Sequence, residues 1–252
     1  MAYTAHDWQQ TLAEKADYAE GRMRRGSPVV ALGYDEGILM LSVYRHQPKL
    51  YEIYDRLALG ALGAPSDLEW VRQFAVDFAH AEGYQRSAED VSIQRVVGFA
   101  ISPAIKRAFS DPSRLPIVLR AAFAQVGDAP EHDHLFVLGY DGEFRDHKRL
   151  ACVAGEAQAE ARMAHVLAEV RVHNRKSAVQ AALRAWSAGR WQPETDEGTT
   201  DRGAATPSLE QCKATLDDEL EGGAAVEAVV LERGTRRERR YRAIAVEVGD
   251  AW

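Results

Sequence analysis

The sequence predicts an α+β protein built as a four-layer αββα sandwich with an N-terminal helical arm. Three observations carry that prediction. Two runs of four short strands are each followed by a pair of helical patterns, and a last hairpin closes the chain. Tight hairpin signals outnumber single-helix crossovers, which disfavours an all-parallel, doubly wound sheet. Strands whose apolar runs are nearly continuous need cover on both faces, and two stacked sheets with a helical layer outside each supply it.

Taken in order, Trp8, Leu12, Ala16, Ala19 and Met23 recur at helical spacing, so residues 1–26 read as an amphipathic arm. Gly26 ends the arm and Pro28 forbids its continuation. Strands at 29–34 and 38–43 flank Asp35-Glu36-Gly37, a hairpin signal, and strands at 50–54 and 57–62 follow. Ser66 with Glu69 has the form of a capping box, and Leu68, Val71, Phe74 and Phe78 line one face of the helix it opens. Gly83 closes that helix. Ser87 with Asp90 opens another, carrying Val91, Val97, Ile101, Ile105 and Phe109, with a kink expected at Pro103. Strands return at 117–125, 135–140, 144–147 and 150–154, with Asp141-Gly142 turning between two of them. Gly155 precedes helices at 157–171 and 176–187. From Gly189 to Pro207 the chain is polar and reads as a surface loop. A short helix at 209–220 and a hairpin of strands 225–231 and 241–248 complete it. No linker interrupts the first three quarters, so residues 1–252 read as a single domain.

The composition, 46% hydrophobic and 27% charged, is that of a soluble globular chain. No apolar run approaches the roughly 18 residues that cross a bilayer, and the N-terminus lacks a signal-peptide pattern. Cys152 and Cys212 form neither a metal-like spacing nor a disulfide framework, so a reducing cytoplasm is the expected compartment. Cys152 reads as a small buried strand residue. The net charge of −7 disfavours a general nucleic-acid binder. Arg236, Arg237, Arg239, Arg240 and Arg242 lie between two alternating apolar segments and read as a solvated turn and edge strand rather than a phosphate site. Glu131, His132, Asp133 and His134 are adjacent, and on an extended strand only His132 and His134 share a face. Two ligands without a third make an exposed turn the better reading. Gly33 and Gly37 precede no helix, so they do not cradle a phosphate. No cofactor, metal, nucleic acid or membrane is expected.

Several segments remain whose order and spacing are specific together. They are the arm ending in Arg25-Gly26-Ser27-Pro28-Val29-Val30-Ala31-Leu32, and Lys49-Leu50-Tyr51-Glu52-Ile53-Tyr54-Asp55-Arg56. Phe78-Ala79 with Gly83-Tyr84 and Asp90-Val91 come next, then Val153-Ala154-Gly155 before a helix, and finally Val226-Glu227-Ala228-Val229-Val230-Leu231. In this arrangement the chain resembles the proteasome superfamily of N-terminal nucleophile hydrolases, and most closely the bacterial α-type subunits of the 20S particle. The likeness runs over residues 8–187 and resumes at 224–244, leaving an inserted segment at about 189–222 uncovered.

Catalytic members of that superfamily use an exposed N-terminal Thr, Ser or Cys, activated by its own α-amine and a nearby Lys. By this resemblance Ser27 stands at the nucleophile address, Lys49 at the lysine, Val43 at the carboxylate position and Ala154 at that of a supporting serine. The Val43 side chain neither holds a charge nor accepts a hydrogen bond, so the site is incomplete. The arm before Ser27 has an apolar stripe unlike a discarded propeptide, and Pro28 removes a backbone N–H from the immediate site. Ser27 therefore reads as a helix-to-strand turn residue. The rival reading is a self-processing peptidase that cleaves after Gly26 and uses Ser27 as nucleophile.

The resemblance implies a non-catalytic, gating subunit. Seven copies would form a ring that caps catalytic β-type rings, admits unfolded chains and docks a ring-shaped ATPase activator. Trp8, Leu12 and Met23 would pack the arm against the body or a neighbouring copy, and Tyr3 and His6 would lie near the axial pore. The segment before Trp8 departs from the Tyr-Asp-Arg gate motif of archaeal and eukaryotic relatives. Lys49, with Gly26 beside it, would receive the activator's C-terminal carboxylate, because an ammonium in a cleft pairs with a terminal carboxylate. A glycine there would let the tail's backbone approach closely. The plainer alternative for Lys49 is a solvated head on a strand edge.

Overall fold

The computed structural model of the chain describes residues 5–168, 170–193, 206–235 and 239–250. Helix α1 spans Ala5–Met23. Four antiparallel strands follow: β1 (Val29–Tyr34), β2 (Gly37–Tyr44), β3 (Leu50–Tyr54) and β4 (Leu57–Gly63). Next come α2 (Pro65–Gln85) and α3 (Ser102–Ser110), then β5 (Leu119–Gln125), β6 (His134–Leu138), β7 (Phe144–His147) and β8 (Leu150–Val153). Helices α4 (Ala157–Ala168), α5 (Arg175–Arg190) and α6 (Leu209–Glu221) precede the closing hairpin, β9 (Ala225–Glu232) and β10 (Tyr241–Ile244).

The strands form two five-stranded sheets, ordered β10-β9-β2-β1-β8 and β3-β4-β5-β6-β7. Alternation along β1 divides the core. Val30 and Leu32 face α4, α5 and α6 together with Leu39, Leu41 and Trp186. Val29 and Ala31 face the other way, between the sheets, with Ile38, Met40, Leu62 and Ala122. On the far side of the second sheet, Leu59 and Phe123 pack under Val71 of α2 and Ile105 of α3. Helix, sheet, sheet and helix are thus stacked as the strand order predicts.

Several local expectations are corrected. Helix α2 begins at Pro65 after Ala64, with no side-chain cap, so Ser66 and Glu69 form no capping box. A proline fits this first position because its missing N–H would have no helical partner there. Asp67 instead accepts the Val118 N–H at 2.8 Å, and Glu69 pairs with Arg72. The helix runs past Gly83 to Gln85. Gly83 is small because a side chain there would collide with the Tyr54 ring. Ser87 does accept the Asp90 N–H, at 3.3 Å, but caps only a 3₁₀ turn, Ala88–Asp90. Pro103 falls in the first turn of α3, and a π-helical segment, Gln94–Ile101, stands immediately before it. There the Ser102 N–H reaches back five residues to the Val97 carbonyl. The expected Asp141-Gly142 turn is present, with Gly142 at φ +84° and Asp141 accepting the Glu143 N–H at 3.0 Å.

The ends of the later helices also differ. Helix α5 starts one residue early, on a capping box of Asn174 with Ser177, and extends to Arg190. Ser208 and Gln211 form a second capping box for α6. The last strand stops at Ile244, and a 3₁₀ turn, Val248–Asp250, follows.

The arm is fastened to the body along its C-terminal half. Ala19 and Met23 are buried. Lys15 donates to the carbonyls of Phe109 at 3.0 Å and Asp111 at 2.5 Å, at the end of α3. Tyr140 donates to Glu20 at 2.7 Å, and Arg24 pairs with Glu156 at 2.9 Å. No helix among the described residues is long and apolar enough to cross a membrane.

Candidate functional site

Ser27 sits between the end of α1 and the start of β1, and its hydroxyl is engaged as both donor and acceptor. It donates to the Val43 carbonyl at 2.6 Å and accepts the indole N–H of Trp186 at 3.0 Å. One residue along each strand, Ser42 donates to the Pro28 carbonyl at 2.7 Å. The hydroxyl hydrogen therefore points at a backbone carbonyl, which is no base, and a lone pair is taken by the indole. A nucleophilic hydroxyl needs a partner able to take its proton. The Val43 side chain packs in the core beneath α5, and Ala154 is fully buried. The Ala154 N–H donates to Glu160 at 3.0 Å, and its carbonyl accepts from Arg120 at 3.2 Å. What these contacts accomplish is mechanical: Ser27 ties the arm's end to β2 and to α5.

Lys49 precedes β3 and is half-buried. Its backbone N–H donates to Glu227 at 2.7 Å, and its carbonyl accepts the Ala61 N–H at 3.1 Å. Glu227 lies on β9 opposite Ser42 of β2. Burial draws the Lys49 ammonium below the usual lysine range; the Glu227 carboxylate opposes that shift and Arg190 adds to it. Burial likewise pushes the Glu227 carboxyl up, against the N–H groups of Lys49 and Leu50 and the Lys49 charge. The result is a partly desolvated cation whose nearby carboxylate spends its hydrogen bonds on backbone, an arrangement able to receive an anion. At Gly26 the close neighbours are the chain's own: a Cβ would stand 2.9 Å from the Met23 carbonyl oxygen and 3.1 Å from Leu62.

A charged group missed in the sequence lies beside this junction. Arg190, on the extra turn of α5, donates to Glu219 at 3.0 Å and to the Arg25 carbonyl at 3.4 Å. Arg45, just past β2, reaches the other oxygen of Glu219 at 2.8 Å. Glu219 belongs to α6, within the segment the family resemblance leaves uncovered. The partners are 29 and 174 residues apart, so no local pattern announces them.

Of the arm residues singled out, Met23 is buried within the chain, Leu12 is partly buried and Trp8 is 36% exposed. Tyr3 and the side chain of His6 lie outside the described residues, as do 194–205, Arg236, Arg237 and the last two residues. Arg239 pairs with Glu52 and Arg242 with Glu232, placing that basic run at the edge strand β10.

Within the Glu131–His134 stretch, Asp133 is 1% exposed and holds Arg233 through two hydrogen bonds of 2.9 and 2.7 Å. His134 contacts Asp146 at 3.1 Å. Among the described residues no group of three acidic, histidine or cysteine side chains could hold a metal ion. Cys152 is half-buried in β8, and burial, with Glu160 adding to it, pushes its thiol up to about 12.

No family model matches the chain. It is similar to a number of curated bacterial proteins named proteasome subunit alpha. The protein of Xylanimonas cellulosilytica is 34% identical over 151 residues, 59% of this chain and 61% of that one. Those of Actinosynnema mirum and Thermobifida fusca are each 32% identical over 151 residues, again 59% of this chain and 57% and 60% of theirs. The chain thus spans about three fifths of the length of the curated relatives it matches. The resemblance to bacterial α-type subunits is borne out by these relatives.

Proposed function

Starting from this similarity to bacterial proteasome α subunits, we propose that the chain is a non-catalytic α-type subunit of a bacterial 20S proteasome. Residues 1–252 act as one domain in the cytoplasm. Seven copies form an outer ring, stack on rings of catalytic β-type subunits and gate the entry of unfolded chains. The observation that carries the non-catalytic part is the Ser27 hydroxyl, bound to the Val43 carbonyl and to Trp186. A hydroxyl so committed supports a structural role at the nucleophile address.

The remaining assignments follow the same reading. Trp8 and Leu12 continue the arm's apolar stripe while keeping surface exposed, which suits packing against a neighbouring copy. Tyr3 and His6 belong to the gate. Lys49, beside Gly26, takes the C-terminal carboxylate of a ring-shaped ATPase; its partly desolvated ammonium supports this.

Co-expression with a bacterial β-type subunit, followed by imaging of the purified particle, tests the proposal. Four stacked rings, the outer ones of seven copies of this chain, are expected. A chain that stays monomeric beside assembled β-type rings would overturn it.

A further inference from the structure

The Lys49 site has neighbours that the family resemblance does not assign. Hydrogen bonds and strand pairing connect them step by step. Lys49 is held by Glu227, which lies opposite Ser42 in the sheet. Val43, next along β2, accepts from Ser27, which accepts from Trp186. Arg190 lies one helical turn beyond Trp186 on the same face of α5 and reaches the Arg25 carbonyl, beside Gly26. Arg45 lies two residues beyond Val43 and shares Glu219 with Arg190.

Among these five side chains, three cations stand against two carboxylates. One positive charge is in excess, and an incoming carboxylate would neutralise it. The two carboxylates are also unequal in what they hold. Glu227 accepts backbone N–H groups and fixes the chain that carries Lys49. Among the described residues, the Glu219 carboxylate is held by side chains, the two guanidiniums. The Arg190 side chain is 26% exposed and Glu219 16%, so the guanidinium is within reach of an approaching group.

We propose that Arg190 is the second cation of the Lys49 carboxylate site, and that Glu219 of α6 is its built-in counter-ion. A tail ending in a free carboxylate binds by sharing Arg190 with Glu219 while its charge is met by Lys49. Helix α6 thereby tunes the affinity: it masks Arg190 when no tail is present and sets how strongly a carboxylate must compete. Arg190 also adds to the depression of the Lys49 pKa, as two neighbouring cations should. This inference rests on the docking role proposed for Lys49.

The test uses the full chain assembled with a β-type partner and a BODIPY-labelled Gly-Ser decapeptide, either with a free C-terminal carboxylate or amidated. Fluorescence anisotropy reads the affinity. Arg190→Gln is expected to weaken the free-carboxylate peptide by about fivefold, the effect of losing one partly exposed ion pair. It leaves the amidated peptide unchanged. Arg190→Lys keeps the charge and restores most of the binding, which a purely structural role for the guanidinium fork would not do. Glu219→Gln strengthens the free-carboxylate peptide. Wild-type affinity in Arg190→Gln, or weaker binding in Glu219→Gln, overturns the inference. Lys49→Ala separates the two levels. If it abolishes binding while Arg190→Gln does not weaken it, Lys49 docks the tail without Arg190. If Lys49→Ala binds normally, the docking role itself fails.

Discussion

At Asp133 a charge is buried almost completely, and three turns of the structure meet on it. Its carboxylate accepts both guanidinium arms of Arg233 and the Gly127 N–H at 2.9 Å. Arg233 in turn donates to the Gly127 carbonyl at 2.9 Å and the Asp35 carbonyl at 3.3 Å. One ion pair thus joins the β1–β2 turn, the β5–β6 connection and the β9–β10 turn, and so clamps the two sheets at one end. Removing one partner of such a pair strands the other charge in a poor solvent. Asp133→Asn should lower stability by about 3 kcal/mol, measured by urea unfolding. A midpoint and slope equal to those of the parent chain would show that the clamp carries no stability. Nothing near Asp133 in the sequence marks it for this role, because Arg233 is a hundred residues away.

Among the elements, α1 is tied to the body by named side chains of its second half. A nineteen-residue helix at the start of the chain has little cooperative support of its own. Lys15 supplies it by donating to the last carbonyls of α3, groups that the helix itself leaves without partners. Lys15→Met keeps the length and apolar stem but loses those bonds. It should cost about 1–3 kcal/mol and speed amide hydrogen exchange in residues 5–23. Unchanged protection there would mean the apolar stripe alone holds the arm.

The strands were legible in the sequence because period-two alternation and turn residues such as Asp141-Gly142 are local signals. Helix ends were less so. Ser66 has the residue type of a cap, but Pro65 starts the helix one residue earlier. The turn of α5 that carries Arg190 lies beyond the predicted end at 187, and the Trp186–Ser27 contact spans 159 residues. The addresses given to Ser27 and Lys49 could be read from the family resemblance. Their hydrogen-bond partners could not, since these come from packing of distant elements.

For the molecule as a whole, the arrangement around Ser27 predicts a chain that keeps its N-terminal arm. Self-cleavage after Gly26 requires the Ser27 oxygen to attack the Gly26 carbonyl as its proton leaves, and that proton is directed at the Val43 carbonyl. Intact mass of the particle's subunit should therefore be that of the full chain, 27.9 kDa. A subunit lacking residues 1–26 would return Ser27 to the nucleophile's role.

The way α1 is fastened has a mechanical consequence. Its ties at Lys15, Ala19, Glu20 and Met23 lie in its second half. Trp8 stands seven residues earlier on the same unbroken helix, about 10 Å along its axis. Those ties set the second half of the arm in α3 and the β6–β7 turn. Tilting those elements moves Trp8 with no break in the helix between, so whatever packs on Trp8 can feel a strain that begins in the body.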